Sequence, residues 1–83
     1  MDQLERIRCM EQLLDECSAA LADPSAHPEL ASKIDTLAAY YHSPLWMRDF
    51  EDDSAGKLPS NLKRGVLSED AVYNLLCDWN QFL

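Results

Sequence analysis

An all-α fold is what this sequence predicts, on three observations. Apolar residues recur at three- and four-residue spacing in separate windows, about Gln3 to Ala22, Pro28 to His42 and Glu69 to Phe82. No window alternates apolar and polar residues with a period of two over strand length. Helix-start residues stand where the periodic windows open, at Pro28, Ser43-Pro44 and Ser68. The expected architecture is a single helical domain over residues 1–83. An antiparallel hairpin (1–42) carries a compact C-terminal helical unit (43–83), which packs on it through Trp46, Phe50, Leu62, Val72, Leu76 and Trp79.

The first helix places Ile7, Leu14 and Leu21 at one heptad position and Met10 and Cys17 at another, with Leu4 and Leu13 on the flanks. A free coiled coil needs about three or four heptads, more than this helix has, so the stripe is expected to pack within the domain, with a dimer seam as the alternative. Asp2, Glu5, Glu11, Asp15 and Glu16 are expected on its outer face. Asp23-Pro24-Ser25-Ala26-His27-Pro28 breaks the helix, because each proline disfavours α geometry in the residue before it. Pro28 then opens a second helix to His42, with Leu30, Ile34, Leu37 and Tyr41 on one stripe.

Ser43 supplies a cap oxygen and Pro44 a pre-set φ, so a third helix begins here and runs through Trp46 and Phe50, four apart on one face. Asp53 falls on that face too. Either the helix stops near Asp52 or a base holds Asp53. Gly56 and Pro59 support the stop. A turn-rich segment follows with Leu58, Leu62, Val66 and Leu67, where Gly65 is expected to take a positive φ and end a helical turn at Lys63 and Arg64. Ser68 then caps a fourth helix, Glu69 to about Phe82, aligning Val72, Leu75, Leu76, Trp79 and Leu83 opposite Asp70, Asn74, Asp78 and Gln81.

Tyr40-Tyr41, Ser43, Trp46, Asp49-Phe50-Glu51, Gly56, Leu58-Pro59, the run from Leu62 to Asp70, Tyr73 and Leu75-Leu76 resemble the signature block of a family of small bacterial proteins catalogued as a domain of unknown function. The resemblance covers about half the chain, and its most specific part is Leu62 to Asp70. It also extends to the helix around Arg6 to Cys17. The segment ADPSAHPEL departs from the continuous acidic helix expected there, which predicts a shorter hairpin. The resemblance implies bacterial origin and a helical fold, and brings no activity with it.

At 83 residues the chain buries about 60–65% of its extended surface on folding, so the core is small. A formal net charge of −8 repels nucleic acid and anionic membrane and attracts basic surfaces, while also serving solubility. Cys9, Cys17 and Cys77 form no CxxC pair and are odd in number, which reads as three reduced, mostly buried thiols of a cytoplasmic protein. The N-terminus lacks an apolar signal core, and no apolar run approaches the ~18 residues that span a bilayer.

Asp49, Glu51, Asp52 and Asp53 are the densest polar cluster and the first candidate for a hard cation. EF-hand spacing fails. With Glu51 at position one, Ala55 and Leu62 occupy ligand positions; with Asp49 there, Ser54 replaces the required glycine. No metal or cofactor is expected, and the cluster reads as a solvated acidic face neutralised by Lys57, Lys63 and Arg64. Lys63, Arg64 and Gly65 ahead of a helix suggest a phosphate site, but Glu69 and Asp70 fill that first turn and would repel the ligand. His27 and His42 are the only imidazoles for nucleophilic catalysis, and each has a local role, in a proline-bounded turn and in a last helical turn. No enzymatic activity is expected.

Seven aromatic residues lie from Tyr40 onward, and most are needed for the core. Tyr40, Tyr73 and Phe82 lie off the main stripes and are the expected exposed anchors, beside the charged candidates Asp49, Glu51, Asp52, Asp53, Lys63 and Arg64. The favoured function is a non-catalytic interaction protein of the bacterial cytoplasm that self-associates or binds a protein with a basic surface, without contacting nucleic acid or membrane. The alternative is an acidic inhibitor that mimics nucleic acid and blocks a basic groove, as small phage-borne proteins do.

Overall fold

The computed structural model describes residues 2–82, and these form four α-helices and two short 3₁₀ turns, with no strand among the described residues. Helix α1 (Gln3–Ala20) starts at Asp2, whose carboxylate accepts the Glu5 N–H at 2.8 Å. Helix α2 (Leu30–Tyr41) returns antiparallel to it: Lys33 near its start pairs with Glu16 at 3.1 Å, while Arg6 and Tyr40, from opposite ends of the two helices, meet on Asp49. The connection contains the 3₁₀ turn Pro24–Ala26. Pro28 does not open α2. It lies in a turn closed by Leu30 N–H on the His27 carbonyl at 3.0 Å, and α bonding begins with Lys33 N–H on Glu29.

Helix α3 (Pro44–Ser54) is capped by Ser43, whose Oγ accepts the Trp46 N–H. It passes Asp52, because a base holds Asp53: Arg64 Nη1 donates to Asp53 Oδ1 at 2.5 Å. Gly56, at φ 73°, ends the helix and is the one residue with positive φ among those described. A Cβ there would meet nothing within 4 Å, so the constraint is conformational alone. Gly56→Ala is expected to cost about 1–2 kcal/mol in chemical denaturation, the penalty of an L side chain in left-handed geometry.

The segment from Lys57 to Ser68 has little regular structure beyond the 3₁₀ turn Gly65–Leu67, and three side chains fix it. Arg64 folds back on the chain, donating from Nε to the Leu62 carbonyl and from Nη2 to the Pro59 carbonyl at 2.6 Å. Val66, fully buried, is held on both sides of its backbone: its N–H donates to Glu11 Oε1 at 2.9 Å, and its carbonyl accepts Trp46 Nε1–H at 2.9 Å. Gly65 opens this turn instead of ending a helix with positive φ, as the sequence reading had it. A Cβ there would sit 3.0 Å from the Glu11 carboxylate, which would have to give by a few tenths of an ångström to admit it. Ser68 Oγ accepts the Ala71 N–H at 3.1 Å across a turn at Glu69 and Asp70, so α4 (Ala71–Phe82) begins two residues after the expected Glu69, with Asn74 N–H on the Asp70 carbonyl at 2.8 Å. The Tyr41 hydroxyl donates to the Glu69 carbonyl at 3.2 Å, which ties the start of α4 to the end of α2.

The core runs along all four helices: Ile7, Leu14 and Cys17 from α1, Leu30, Ile34 and Leu37 from α2, Trp46 from α3, Val72 and Leu75 from α4, with Leu58, Leu62, Val66 and Leu67 from the irregular segment. Phe50, Leu76 and Trp79 are half-buried against it. Phe50 stacks on Trp46 with ring centroids 5.1 Å apart, and Tyr41 meets the other side of Trp46 edge-on at 5.0 Å. Leu83, expected on the α4 stripe, lies outside the described residues.

Candidate functional site

Asp49 is the most constrained polar residue of the chain. It projects from α3 on the face of Trp46, three residues earlier, and so enters the space between α3 and the α1–α2 hairpin, where it is fully buried. Its carboxylate accepts four hydrogen bonds. Arg6 contributes Nε to Oδ2 at 3.0 Å and Nη2 to Oδ1 at 2.6 Å, a two-pronged grip. The Tyr40 hydroxyl donates to Oδ2 at 2.6 Å and Gln3 Nε2 to Oδ1 at 3.0 Å. Gln3 also reaches Asp52 Oδ2 at 2.8 Å, so three helices meet on one ion pair.

Burial alone would push the Asp49 carboxyl up, but hydrogen bonds from Arg6, Tyr40 and Gln3 outweigh it and hold the group below its ordinary range. Burial, then the bond to Asp49, pushes the Tyr40 phenol well above its usual value, and the bond to Asp49 raises the Arg6 guanidinium. Each group is thereby fixed in one protonation state near neutral pH.

The structure revises several candidates. Asp49 is no part of a solvated acidic face, because helical phase turns it inward while Glu51, two residues on, points to solvent. Tyr40 is not an exposed anchor; its ring is 7% exposed and its hydroxyl is spent on Asp49. Lys63 does not neutralise the α3 acids but reaches Asp15 of α1 at 3.6 Å, whereas Arg64 takes Asp53 and Lys57 stands 3.9 Å from Asp52. Glu11 does not line the outer face of α1 but faces Gly65 and Val66, and Cys9 is exposed while Cys17 is buried and Cys77 half-buried. Tyr73 and Phe82 are exposed, at 57% and 52%, and Phe82 stacks on Trp79 at 5.3 Å. Among the described residues no three His, Cys, Asp or Glu side chains converge as metal ligands would.

A groove of about 330 Å³ lies between α1 and the turn at Asn61–Lys63. Glu11 and Asp15, four apart on α1, contribute two carboxylates, Leu62 an apolar wall, and Arg8 and Lys63 the cations. Glu11 is only 8% exposed, and beyond the Val66 N–H on Oε1 it accepts no hydrogen bond from any described residue. Arg6, Gln3 and Glu11 escaped the sequence reading, although a signal for Glu11 existed: it lies four after Ile7 and three before Leu14, inside the apolar stripe.

No curated protein and no solved structure matches the chain. Residues 7–83, from the core residue Ile7 through the Glu11–Val66 contact, the Trp46 ring and α4, match one family along their whole length, and the chain belongs to that family, described as a domain of unknown function (DUF4298).

Proposed function

We infer that the chain is a non-catalytic interaction protein of the bacterial cytoplasm that binds a protein partner through the partner's basic surface. What supports this is how its polar side chains are spent. Five of its seven bases pair with specific acids: Arg6, Lys33, Lys57, Lys63 and Arg64. The residues best suited to chemistry, Asp49, Arg6 and Tyr40, are locked to one another inside. What remains outward is mostly negative charge, including Glu5, Glu51, Glu69, Asp70 and Asp78 against exposed Arg8 and Arg48, with Tyr73 and Phe82 as exposed rings. Such a surface draws a basic protein by long-range attraction and can anchor it through aromatic contacts.

The mimicry alternative requires a continuous carboxylate array. Here Glu11 and Asp49 face inward, and Asp15, Asp52 and Asp53 carry bases beside them, which interrupts such an array. The test is a partner captured from the source cells and then titrated as a purified protein. Its affinity should fall less than tenfold between 50 and 200 mM salt and resist competition by duplex DNA, the behaviour of a contact that draws on shape and apolar burial as well as charge. A fall of several orders of magnitude with displacement by duplex would make the chain a nucleic-acid mimic. Failure of any protein to bind saturably would contradict the interaction reading altogether.

A further inference from the structure

We propose that the outward face of α4 is a self-association surface, on which the α4 of a second copy of this chain packs antiparallel about a two-fold axis beside Cys77. Tyr73, Leu76, Cys77 and Asn80 follow one another at three- and four-residue spacing and form one stripe of the helix. The stripe is turned away from the core. Tyr73 and Asn80 are exposed and Leu76 and Cys77 half-buried, whereas Val72 and Leu75 on the inner face are closed. An antiparallel copy sets Tyr73 opposite Asn80 of the second copy and Leu76 opposite its Cys77, so the tyrosine hydroxyl meets an amide that can both donate and accept, and the apolar pair meets at the axis.

Charge selects a second copy as the occupant. Of the chain's seven bases and fifteen acids, α4 holds only Asp78, and α2, packed beside it, only Lys33 and Asp35. Lys33 is turned to Glu16 of α1, and Asp78 lies about 100° or more around the helix from every member of the stripe. A two-fold axis brings a face against itself, so any charge near the axis meets its own like, and a self-complementary face on so acidic a chain has to be neutral. A face built for a basic protein carries acids, as the outward sides of α1 and α3 do. A parallel arrangement would set the two Glu69-Asp70 starts side by side and align the helix dipoles, and both effects favour the antiparallel one. The contact takes Tyr73 and leaves Phe82, on the opposite side of α4, and the acids of α1 and α3 outside. It therefore stands apart from the basic-partner reading and does not depend on it.

The experiment is sedimentation equilibrium of the whole chain. A helix of 12 residues is about 18 Å long and buries less than the roughly 1,200 Å² of a standard interface, so a monomer–dimer equilibrium is expected at about 10–500 µM. Because the two copies share a net charge of −8, raising salt from 50 to 300 mM should tighten the dimer severalfold, the opposite of its effect on a basic partner. Tyr73→Glu and Asn80→Glu, at exposed positions, should each weaken it at least tenfold; Ser60→Glu, which adds the same charge on an exposed turn, should weaken it about twofold or less. A short thiol cross-linker, bismaleimidoethane, should join two copies through half-buried Cys77, with the product lost in Cys77→Ser and kept in Cys9→Ser although Cys9 is the more exposed thiol. A chain that stays monomeric at 1 mM would overturn the proposal. So would a dimer indifferent to Tyr73→Glu and Asn80→Glu, or one joined through Cys9, which would move the contact to α1.

Discussion

Arg6→Met should destabilise the chain by about 3–5 kcal/mol, because it leaves the Asp49 carboxylate buried without its charge partner. That is a large share of the roughly 5–15 kcal/mol available to a domain. The Tyr40 and Gln3 hydrogen bonds persist in the variant and soften the loss without replacing the charge. Replacing both ends, as in Arg6→Met with Asp49→Leu, should recover much of the stability, since a buried pair exchanged for apolar groups is often close to neutral. Urea denaturation of the two variants against the parent measures both effects, and a single variant as stable as the parent would mean that Arg6 does not hold Asp49.

The same knot sets the acid limb of stability. The folded Asp49 carboxyl lies below its unfolded value, so its contribution is fully present above about pH 4 and is lost as the pH falls through the lower folded value. In Arg6→Met the buried carboxyl loses its largest downward influence, and the acid limb should move to higher pH. Tyr40 acts at the other end. Its phenol is raised in the folded state, so its contribution is present below about pH 10 and is lost as the pH rises above that.

Trp46→Ala should cost a further 3–5 kcal/mol or about that, by removing the ring on which Phe50 stacks and Tyr41 abuts. A polar cost adds to the cavity. The Val66 carbonyl loses Trp46 Nε1–H and is left buried without that donor, at about 1–3 kcal/mol. Trp46→Phe separates the two effects: it keeps a ring and loses the donor, and should fall between the parent and Trp46→Ala. Cooperative thermal unfolding of Trp46→Ala within a few degrees of the parent would remove Trp46 from the centre of the core.

The contrast between these residues shows how far the sequence was legible. Helix starts at Ser43 and Ser68 were readable because a cap is a local event, completed within three residues. The stop at Gly56 was readable for the same reason. Gly65 was misread because its setting is tertiary: the carboxylate that crowds the place of a Cβ comes from Glu11, far back in α1. Asp49 looked like its acidic neighbours in composition, and only the phase of α3 relative to Trp46 separates it from exposed Glu51. Glu11 was assigned outward because it is charged, although it lies in the apolar stripe, and Arg6 was given no place at all; each finds an internal partner. Periodicity reports which face a residue occupies, but which charge sits opposite it depends on how the helices dock.

The hairpin docks on α3 through Asp49, and an NMR pH titration of the Asp49 carboxyl carbon checks that docking. The expected result is a carboxylate that stays ionised through the ordinary carboxylate range and titrates only below it. A midpoint at or above the ordinary range would mean that burial prevails over Arg6, Tyr40 and Gln3, and would contradict the ion pair as the feature that holds the hairpin to α3.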